Sequence, residues 1–332
     1  MESNMKNMSN KLKVLIILMS LVLLGALIIV TIGVGSVSIS VKEIIDTFLG
    51  HGNEINESII MDMRLPRIII AVFVGAGLSI SGALLQSIMN NPLADPGITG
   101  VSSGASLLAI TVMLYFPKLH GVLPLMAFLG AIVACMMVFI LSWDKGLNPM
   151  RVILSGVAVN AVFVGATSLL SILNSDKIQG ILLWINGSIA YKGWTEVKYL
   201  VPYSVIGIIL ALLCAKGANL LALGDDVATN LGVNVTKTRF LVALVAVFLA
   251  GVSTSVVGII GFIGLIVPHI CRLILGYDYK YLIPMSAIMG GILLLLADTL
   301  ARFVARPVEL PVGILMAMLG GPFFLFLLRR RK

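Results

Sequence analysis

The recurrence of long apolar segments is the feature that most constrains this chain. Apolar runs near the length of a bilayer span, which takes about 20 residues, recur from positions 14–34 to positions 310–328. Only 11% of the residues are charged, and the mean hydropathy is +1.09. A transmembrane barrel is excluded, because its strands would be segments of about ten residues with alternating hydrophobicity. The sequence predicts an all-α, polytopic protein of the cell membrane, with one membrane domain over residues 1–332.

The number of spans follows from these runs and from the charges between them. The run at 240–275 is too long for one span, so we expect it to cross twice, with a turn at Gly258, Gly261 and Gly264. The basic C-terminal RRRK is expected in the cytoplasm, because short cytoplasmic segments are enriched in Lys and Arg. About ten spans follow, with both termini cytoplasmic. The other eight are expected at 14–34, 67–88, 98–116, 121–142, 152–173, 199–215, 281–302 and 310–328.

A hydrophilic stretch at 217–239 is expected on the cytoplasmic side. Asp225 is predicted to cap a short helix, and Asp226 places a second negative charge in its first turn, where the helix dipole favours it. Gly232 predicts a stop, and Asn234 predicts the cap of a second short helix. A helix that lies on lipid headgroups usually carries Lys and Arg on its polar face. The two aspartates therefore favour a protein partner, with an amphipathic surface loop as the alternative.

Two polar features interrupt the apolar background. Asp298 lies inside a predicted span, and its spacing from Arg302 predicts an i,i+4 ion pair near the outer end of that span. His269 is expected to be a packing residue. The segment NNPLADPG (90–97) disfavours a helix because of Pro92 and Pro96, and irregular backbone at membrane depth is tolerated only where it is buried or lines a cavity.

The sequence lacks the residues that several classes of protein require for their function. No GxxxxGK[ST] phosphate-binding loop is present, so any ATP that drives this protein is hydrolysed on another chain. No catalytic set and no metal motif is evident. The net charge of +8 is explained by membrane orientation, and no nucleic-acid partner is needed.

A series of motifs along the whole chain resembles the FecCD family. These proteins are the permease subunits of ABC importers for ferric siderophores, haem and vitamin B12. Each motif alone is weak, but their order makes the resemblance specific. The motifs are RLPR (64–67), NNPLADPGITGVSSGA (90–105), WINGSIAYKGW (184–194), LGDDVATNLGV (223–233), GFIGLIVPHICR (261–272), LADTLAR (296–302) and ELPVGILMAMLGGPFF (309–324).

The resemblance implies a transport subunit that is not an enzyme and binds no cofactor, with ATP and Mg²⁺ held by a partner ATPase. Its implied partners are the lipid bilayer, a second permease subunit (an identical copy or a paralogue), two ATPase subunits and an extracytoplasmic binding protein or lipoprotein. We expect a ferric siderophore as cargo, with haem or cobalamin as alternatives. An ion-coupled secondary transporter is the alternative from another class, and it would place charged sites near the midplane of repeated halves.

The resemblance also assigns roles to individual residues. Docking of the ATPase is implied for Asp225, Asp226, Ala228, Leu231 and Gly232. Docking of the binding protein is implied for Arg64, Arg67 and Arg302, with anchoring of span ends at the headgroups as the alternative. The pathway and its cytoplasmic gate are implied for Asn91, Leu93, Pro149, Met150 and Asn160. Spans five and ten, which carry Asn160 and the Gly313 to Gly320 face, are expected beside the second permease subunit.

Overall fold

The computed structural model describes residues 8–35, 37, 39–143, 149–175, 178–304 and 309–330, and regular structure within them is helical. A π-helical turn occupies Ser58–Arg64, and two 3₁₀ turns occupy Pro96–Thr99 and Pro117–Val122. The α-helices are α1 (Asn10–Gly33), α2 (Val41–Phe48), α3 (Glu54–Ile88), α4 (Val101–Tyr115), α5 (Leu123–Ser142), α6 (Pro149–Leu173), α7 (Ile178–Ile185), α8 (Trp194–Leu221), α9 (Asp225–Asn230), α10 (Val235–Val257), α11 (Ile263–Leu275), α12 (Tyr279–Val304) and α13 (Val312–Arg330).

Seven helices of the described residues are long and apolar enough to cross a membrane. They are α1, α3, α5, α6, α8, α10 and α12. Helices α4, α11 and α13 contain shorter apolar stretches. The ten predicted spans coincide with these ten helices, so the all-α, multi-span class is confirmed. The number of crossings and the side of each terminus stay predictions.

Helices α3 and α10 form the centre of the bundle. In their most apolar windows 83% and 78% of the residues are buried, against 22% in α1 and in α6. Small residues allow the central helices to approach closely. A Cβ atom on Gly75 would lie 2.2 Å from the carbonyl oxygen of Gly290 in α12, and one on Gly82 would lie 2.1 Å from that of Gly264 in α11. The glycines of α3 therefore fix its contacts with two neighbours.

The apolar run predicted to cross twice is broken as expected. Helix α10 ends at Val257, and Gly258 has a φ of +78°, which glycine adopts without steric cost. The chain then re-enters the bundle and forms α11, which carries Pro268. Backbone hydrogen bonds hold this turn, because Ser188 N–H donates to the Val257 carbonyl at 2.8 Å.

The hydrophilic stretch differs from its prediction in two ways. Gly224 occupies the N-cap position of α9 without a side-chain hydrogen bond, so the prediction that Asp225 caps this helix is wrong. The carboxylate of Asp225 instead forms an ion pair with Arg239 in the first turns of α10. The predicted second short helix is not a separate element but the first part of α10. Asn234 accepts a hydrogen bond from Lys237 N–H at 3.0 Å and so caps α10. No helix-breaking residue follows Asn234, so the helix continues into the membrane span.

The bundle has two ends, named here by one residue each. The Arg67 end holds Arg67 of α3 and Asp298 of α12, which contact each other. The Asp225 end holds α9 and the first turns of α10. Asn219, at the end of α8 just before α9, donates to Asp278, so α12 begins at the Asp225 end. The ammonium group of Lys13 lies 5.1 Å from the ring centre of Tyr281 in α12, so α1 begins at the same end.

Candidate functional site

An ion-pair cluster occupies the Arg67 end. Arg67 binds both carboxylate oxygens of Asp298, with Nε to Oδ2 and Nη2 to Oδ1 each at 2.9 Å. Its Nη1 donates to Glu309 at 2.8 Å, and Arg302 Nε lies 3.4 Å from Asp298. The Asp298 side chain is 3% exposed, whereas that of Glu309 is 41% exposed. Two arginines and two carboxylates thus balance in charge, with Glu309 at the surface.

The predicted pair of Asp298 and Arg302 is confirmed, but the stronger partner of Asp298 was missed. Arg67 is distant from Asp298 in sequence, and helix periodicity relates only residues within one element. Arg64 has a different environment, because it is buried and donates to the backbone carbonyls of Ile32 and Val37. All three arginines implied in docking therefore have contacts within the chain, and docking itself stays a prediction.

A cavity of about 650 Å³ opens between α4, α6, the turn after α10 and the irregular segment 89–100. Its lining includes Leu93 and Asn160, two residues that the sequence assigned to the pathway. Hydroxyl groups also line it, from Ser102, Thr167 and Ser168 among others. The Thr167 hydroxyl is buried and lacks a hydrogen-bond partner among the described residues. The cavity lining is therefore mainly apolar, with hydroxyl groups and the side chains of Asp95 and Asn160 as its polar groups.

The other predicted gate residues lie elsewhere. Asn91 shapes the segment rather than lining the cavity, because its Oδ1 accepts a hydrogen bond from Leu93 N–H at 2.9 Å. Met150 is 64% exposed in the first turn of α6 and does not reach the lining. Pro149 begins α6, and the adjoining residues 144–148 of the predicted gate loop lie outside the described part of the chain.

Asp95 is a cavity residue that the sequence analysis missed. Its Oδ1 accepts a hydrogen bond from Gly97 N–H at 2.8 Å, which begins the 3₁₀ turn Pro96–Thr99. An Asp two residues before a glycine, with proline between, is typical of such a turn. This pattern could have marked Asp95 as the residue that shapes the segment and presents a carboxylate to the cavity.

The predicted ATPase-docking residues cluster around α9 at the Asp225 end. Val227 and Leu231 are 46% and 59% exposed, and Asp226 is exposed beside them. Gly232 ends this surface with a φ of +80°. Ala228 is fully buried, so it supports the surface from below and offers no side chain to a partner. The result is an exposed apolar and acidic surface that the ion pair with Arg239 ties to α10.

His269 is half-buried in α11 and makes contacts within the chain, away from the cavity lining. Its predicted packing role is consistent with this position. The described residues contain no group of three or more His, Cys, Asp or Glu side chains that could hold a metal ion.

Curated relatives cover almost the whole chain. The Fe(3+)-citrate import system permease protein YfmE of Bacillus subtilis (strain 168) is 40% identical over 328 residues, which are 98% of each chain. The iron(3+)-hydroxamate import system permease protein FhuG of the same organism is 38% identical, over 98% of this chain and 99% of its own. The probable heme-iron transport system permease protein IsdF of Staphylococcus aureus (strain MW2) is 39% identical, over 95% and 96%.

A solved structure has the same fold. It is described as an inward-facing conformation of a metal-chelate type ABC transporter, and it superposes with a TM-score of 0.86 at 30% identity, covering 95% of this chain and 99% of its own. The FecCD transport family matches residues 21–330. The chain therefore belongs to the FecCD transport family and is a membrane permease, a transport subunit of the ABC importer type rather than an enzyme.

Proposed function

We propose that this chain is the cell-membrane permease subunit of an importer that carries a ferric siderophore. A separate ATPase supplies the energy, and an extracytoplasmic binding protein delivers the cargo. The observation that carries the proposal is the match over nearly the full length to permeases named for Fe(3+)-citrate and for iron(3+)-hydroxamate. Both names describe ferric iron held by small oxygen-donor chelators.

The cavity supports a pathway shared between two permease subunits. It lies against α6, whose outward residues are apolar and exposed, among them Leu154, Val157 and Val162. A second copy or a paralogue packed on this face would close the open side of the cavity. The lining of hydroxyl and apolar groups would then enclose a chelate without binding it tightly, as release into the cytoplasm requires.

The α9 surface supports docking of the ATPase. It presents apolar and acidic side chains at one end of the bundle, and interface cores are enriched in such exposed apolar groups. Its fixed link to α10 through Asp225 and Arg239 would transmit a displacement of α9 into a membrane helix.

The Arg67 end supports docking of the binding protein. An acidic side chain of that protein would approach a cluster in which Glu309 is the exposed carboxylate. Because Glu309 holds only Nη1 of Arg67, whereas Asp298 holds Nε and Nη2, a partner carboxylate would displace Glu309 first. This exchange leaves the buried pair intact.

Uptake of labelled iron tests the proposal. Cells with and without this gene are supplied in turn with ferric hydroxamate, ferric catecholate, ferric citrate and haem, with labelled cobalamin in parallel. Loss of uptake of one siderophore, restored by the gene in trans, is the expected result. Loss of haem uptake alone would identify haem as the cargo, as in the name of the relative from S. aureus. Loss of cobalamin uptake alone would identify cobalamin as the cargo. Uptake that persists after ATP depletion and follows an ion gradient would instead favour a secondary transporter.

A further inference from the structure

A buried polar network lies between the cavity and the Asp225 end of the bundle. Arg272, in the last turn of α11, donates through Nη1 to Gln86 Oε1 and through Nη2 to the Tyr279 hydroxyl, the latter at 3.3 Å. Gln86, Arg272 and Tyr279 are 4%, 8% and 3% exposed. We refer to these three residues, together with Asn219 and Asp278, as the Arg272 network.

One side of the network reaches the segment that lines the cavity. The Gln86 side-chain amide donates to the carbonyl of Gly264 at 2.9 Å and to that of Ala94 at 3.3 Å. Ala94 lies between the two cavity residues Leu93 and Asp95. Gln86 therefore joins Arg272 directly to the irregular segment 89–100.

The other side reaches the connection that carries α9. Tyr279 N–H donates to Asn219 Oδ1 at 2.9 Å, and Asn219 Nδ2 donates to Asp278 Oδ1 at 2.8 Å. Asn219 lies in the last turn of α8, just before the connection to α9. The Tyr279 hydroxyl also donates to the Ala83 carbonyl of α3 at 3.0 Å. Arg272 thus holds the end of α8, the start of α12 and the end of α3 in one arrangement.

The chemistry of Arg272 is unusual for a packing residue. An arginine keeps its charge in proteins, and burying a charge is costly unless it is compensated. The hydrogen-bond partners of Arg272 are a neutral amide and a phenol, and the C-terminal end of α11 supplies only a partial negative charge. Apolar side chains would fill the same volume at lower cost. The rigid planar fork of the guanidinium, in contrast, fixes two acceptors relative to each other.

We propose that Arg272 is a positioning residue that couples the α8–α9 connection to segment 89–100. A displacement of α9 by the ATPase moves Asn219 and Tyr279, and Arg272 passes that movement through Gln86 to the backbone of Ala94. This inference rests on the proposed function, because it requires an ATPase bound at α9. The network acts on the position of the gate segment and makes no contact with the cargo.

The test uses the complete transporter in proteoliposomes, with its ATPase and binding protein. Leu93→Cys serves as the reporter in a chain whose Cys135, Cys214 and Cys271 are replaced by alanine, and its modification by a thiol reagent is followed with and without an ATP analogue. This readout needs no cargo. A nucleotide-dependent change in the reporter of the otherwise unaltered complex tests the proposed coupling to an ATPase, and its absence would count against the proposed function.

The Arg272→Lys variant then tests the network, because lysine keeps the charge and loses the fork. We expect the nucleotide-dependent change at Leu93→Cys to shrink about fivefold or more, while the ATPase still co-purifies. The ratio of cargo moved to ATP hydrolysed should fall by a similar factor. Ser81→Ala is the control, since Ser81 lies on α3 as Gln86 does, is fully buried and donates a hydrogen bond to the Ala246 carbonyl of α10, outside the Arg272 network. An unchanged reporter response in Arg272→Lys, or an equal loss in Ser81→Ala, would overturn the inference.

A double-mutant cycle covers the case in which Arg272→Lys fails to fold. Gln86→Ala and Tyr279→Phe each remove one hydrogen-bond partner of Arg272 and leave its charge in place. If both act through Arg272, their combined effect on the reporter should be smaller than the product of the single effects. Independent, multiplicative effects would contradict a shared network.

Discussion

Arg67 and Asp298, which lie 231 positions apart, form a two-point ion pair in which Nε and Nη2 each lie 2.9 Å from a carboxylate oxygen. The pair joins α3 to α12 at one end of the bundle. Both side chains are mostly buried, at 11% and 3% exposed, so solvent screens the interaction only weakly.

Removing this carboxylate should destabilise the protein. Asp298→Asn leaves the guanidinium groups of Arg67 and Arg302 without their shared buried partner, and breaking a buried pair costs about 3–5 kcal/mol. A lower thermal unfolding temperature of the purified protein in detergent would report this. Glu309→Gln is the control, because its side chain is 41% exposed and its loss should cost about 1 kcal/mol or less. Equal shifts in the two variants would contradict this assignment.

Glu309→Gln should have its main effect on docking. It replaces the carboxylate that pairs with Nη1 of Arg67 by a neutral amide, which holds this nitrogen less strongly and does not repel an acidic residue of the binding protein. The affinity should therefore rise, and Arg67→Glu should lower it. Both effects should weaken at high salt. Affinity is measured by surface-immobilised binding of the delivery protein to the reconstituted complex. An affinity that neither variant changes would reduce Arg67 to a structural residue.

The α9 surface can be tested with one charge reversal. Asp226→Lys should weaken association with the ATPase, because it reverses an exposed charge without touching the ion pair between Asp225 and Arg239. The readouts are co-purification and ATP hydrolysis per molecule of cargo. Asp225→Lys is less informative, since it also breaks that pair. Full co-purification and normal coupling in Asp226→Lys would remove this surface from the docking assignment.

Gly232→Val tests the backbone of the same region. Its φ of +80° is unfavourable for a β-branched residue, so the turn after α9 should shift and coupling should fall. Gly232→Asn is the matched variant, because asparagine tolerates this conformation better. Comparable coupling in the valine and asparagine variants would show that the turn geometry is unimportant.

Close contact between helices predicts a large difference in stability between the alanine variants of two glycines. Gly82→Ala places a methyl group 2.1 Å from the Gly264 carbonyl oxygen, which must push α3 and α11 apart and should cost about 1–3 kcal/mol. Gly25→Ala on α1 meets no atom within 4 Å and should be neutral or slightly stabilising. Thermal unfolding in detergent compares them, and similar unfolding temperatures would argue against the close packing.

Asp95 should matter through its hydrogen bond to Gly97. Asp95→Ala removes the acceptor for Gly97 N–H, so segment 89–100 should loosen and proteoliposomes should leak a trapped dye. Asp95→Asn keeps an acceptor oxygen and should stay tight. Equal leakage from both variants would show that the carboxylate charge, rather than the hydrogen bond, closes the segment.

Local sequence rules predicted the features that depend on near neighbours. The pair of Asp298 and Arg302, the break at Gly258 and the cap at Asn234 all follow from spacing within one element. The pair of Asp225 and Arg239 was missed although its members lie close in sequence, because Asp225 alone suggested a cap. When a charged residue forms its ion pair with a residue of the next helix, the sequence of its own helix does not indicate that pair.

Features that depend on the packing of distant helices were out of reach. Arg67 was assigned to a partner protein, yet it binds Asp298 of α12, which is next to α3 in the bundle but distant in sequence. Leu93 and Asn160, which the resemblance assigned to the pathway, line the same cavity, and that they form a pathway stays a prediction. Asp95 of this cavity was missed because the sequence singles out only acids inside predicted spans. The resemblance supplied roles, and the three-dimensional contacts show which side chains are already occupied within the chain.

The short length of α11 has a consequence for how the chain enters the membrane during synthesis. Its 13 residues extend about 20 Å, less than the thickness of a bilayer core of about 30 Å. The turn before it relies on the end of α7, because Ile259 N–H donates to the Trp184 carbonyl. The loop that follows α7 is in turn held by a hydrogen bond from Gly313 N–H of α13 to the Gly187 carbonyl. Part of this support comes from α13, which the ribosome makes later. A nascent chain released before α13 would leave unpaired backbone groups in lipid, so α11 should settle in the bilayer only after synthesis is nearly complete.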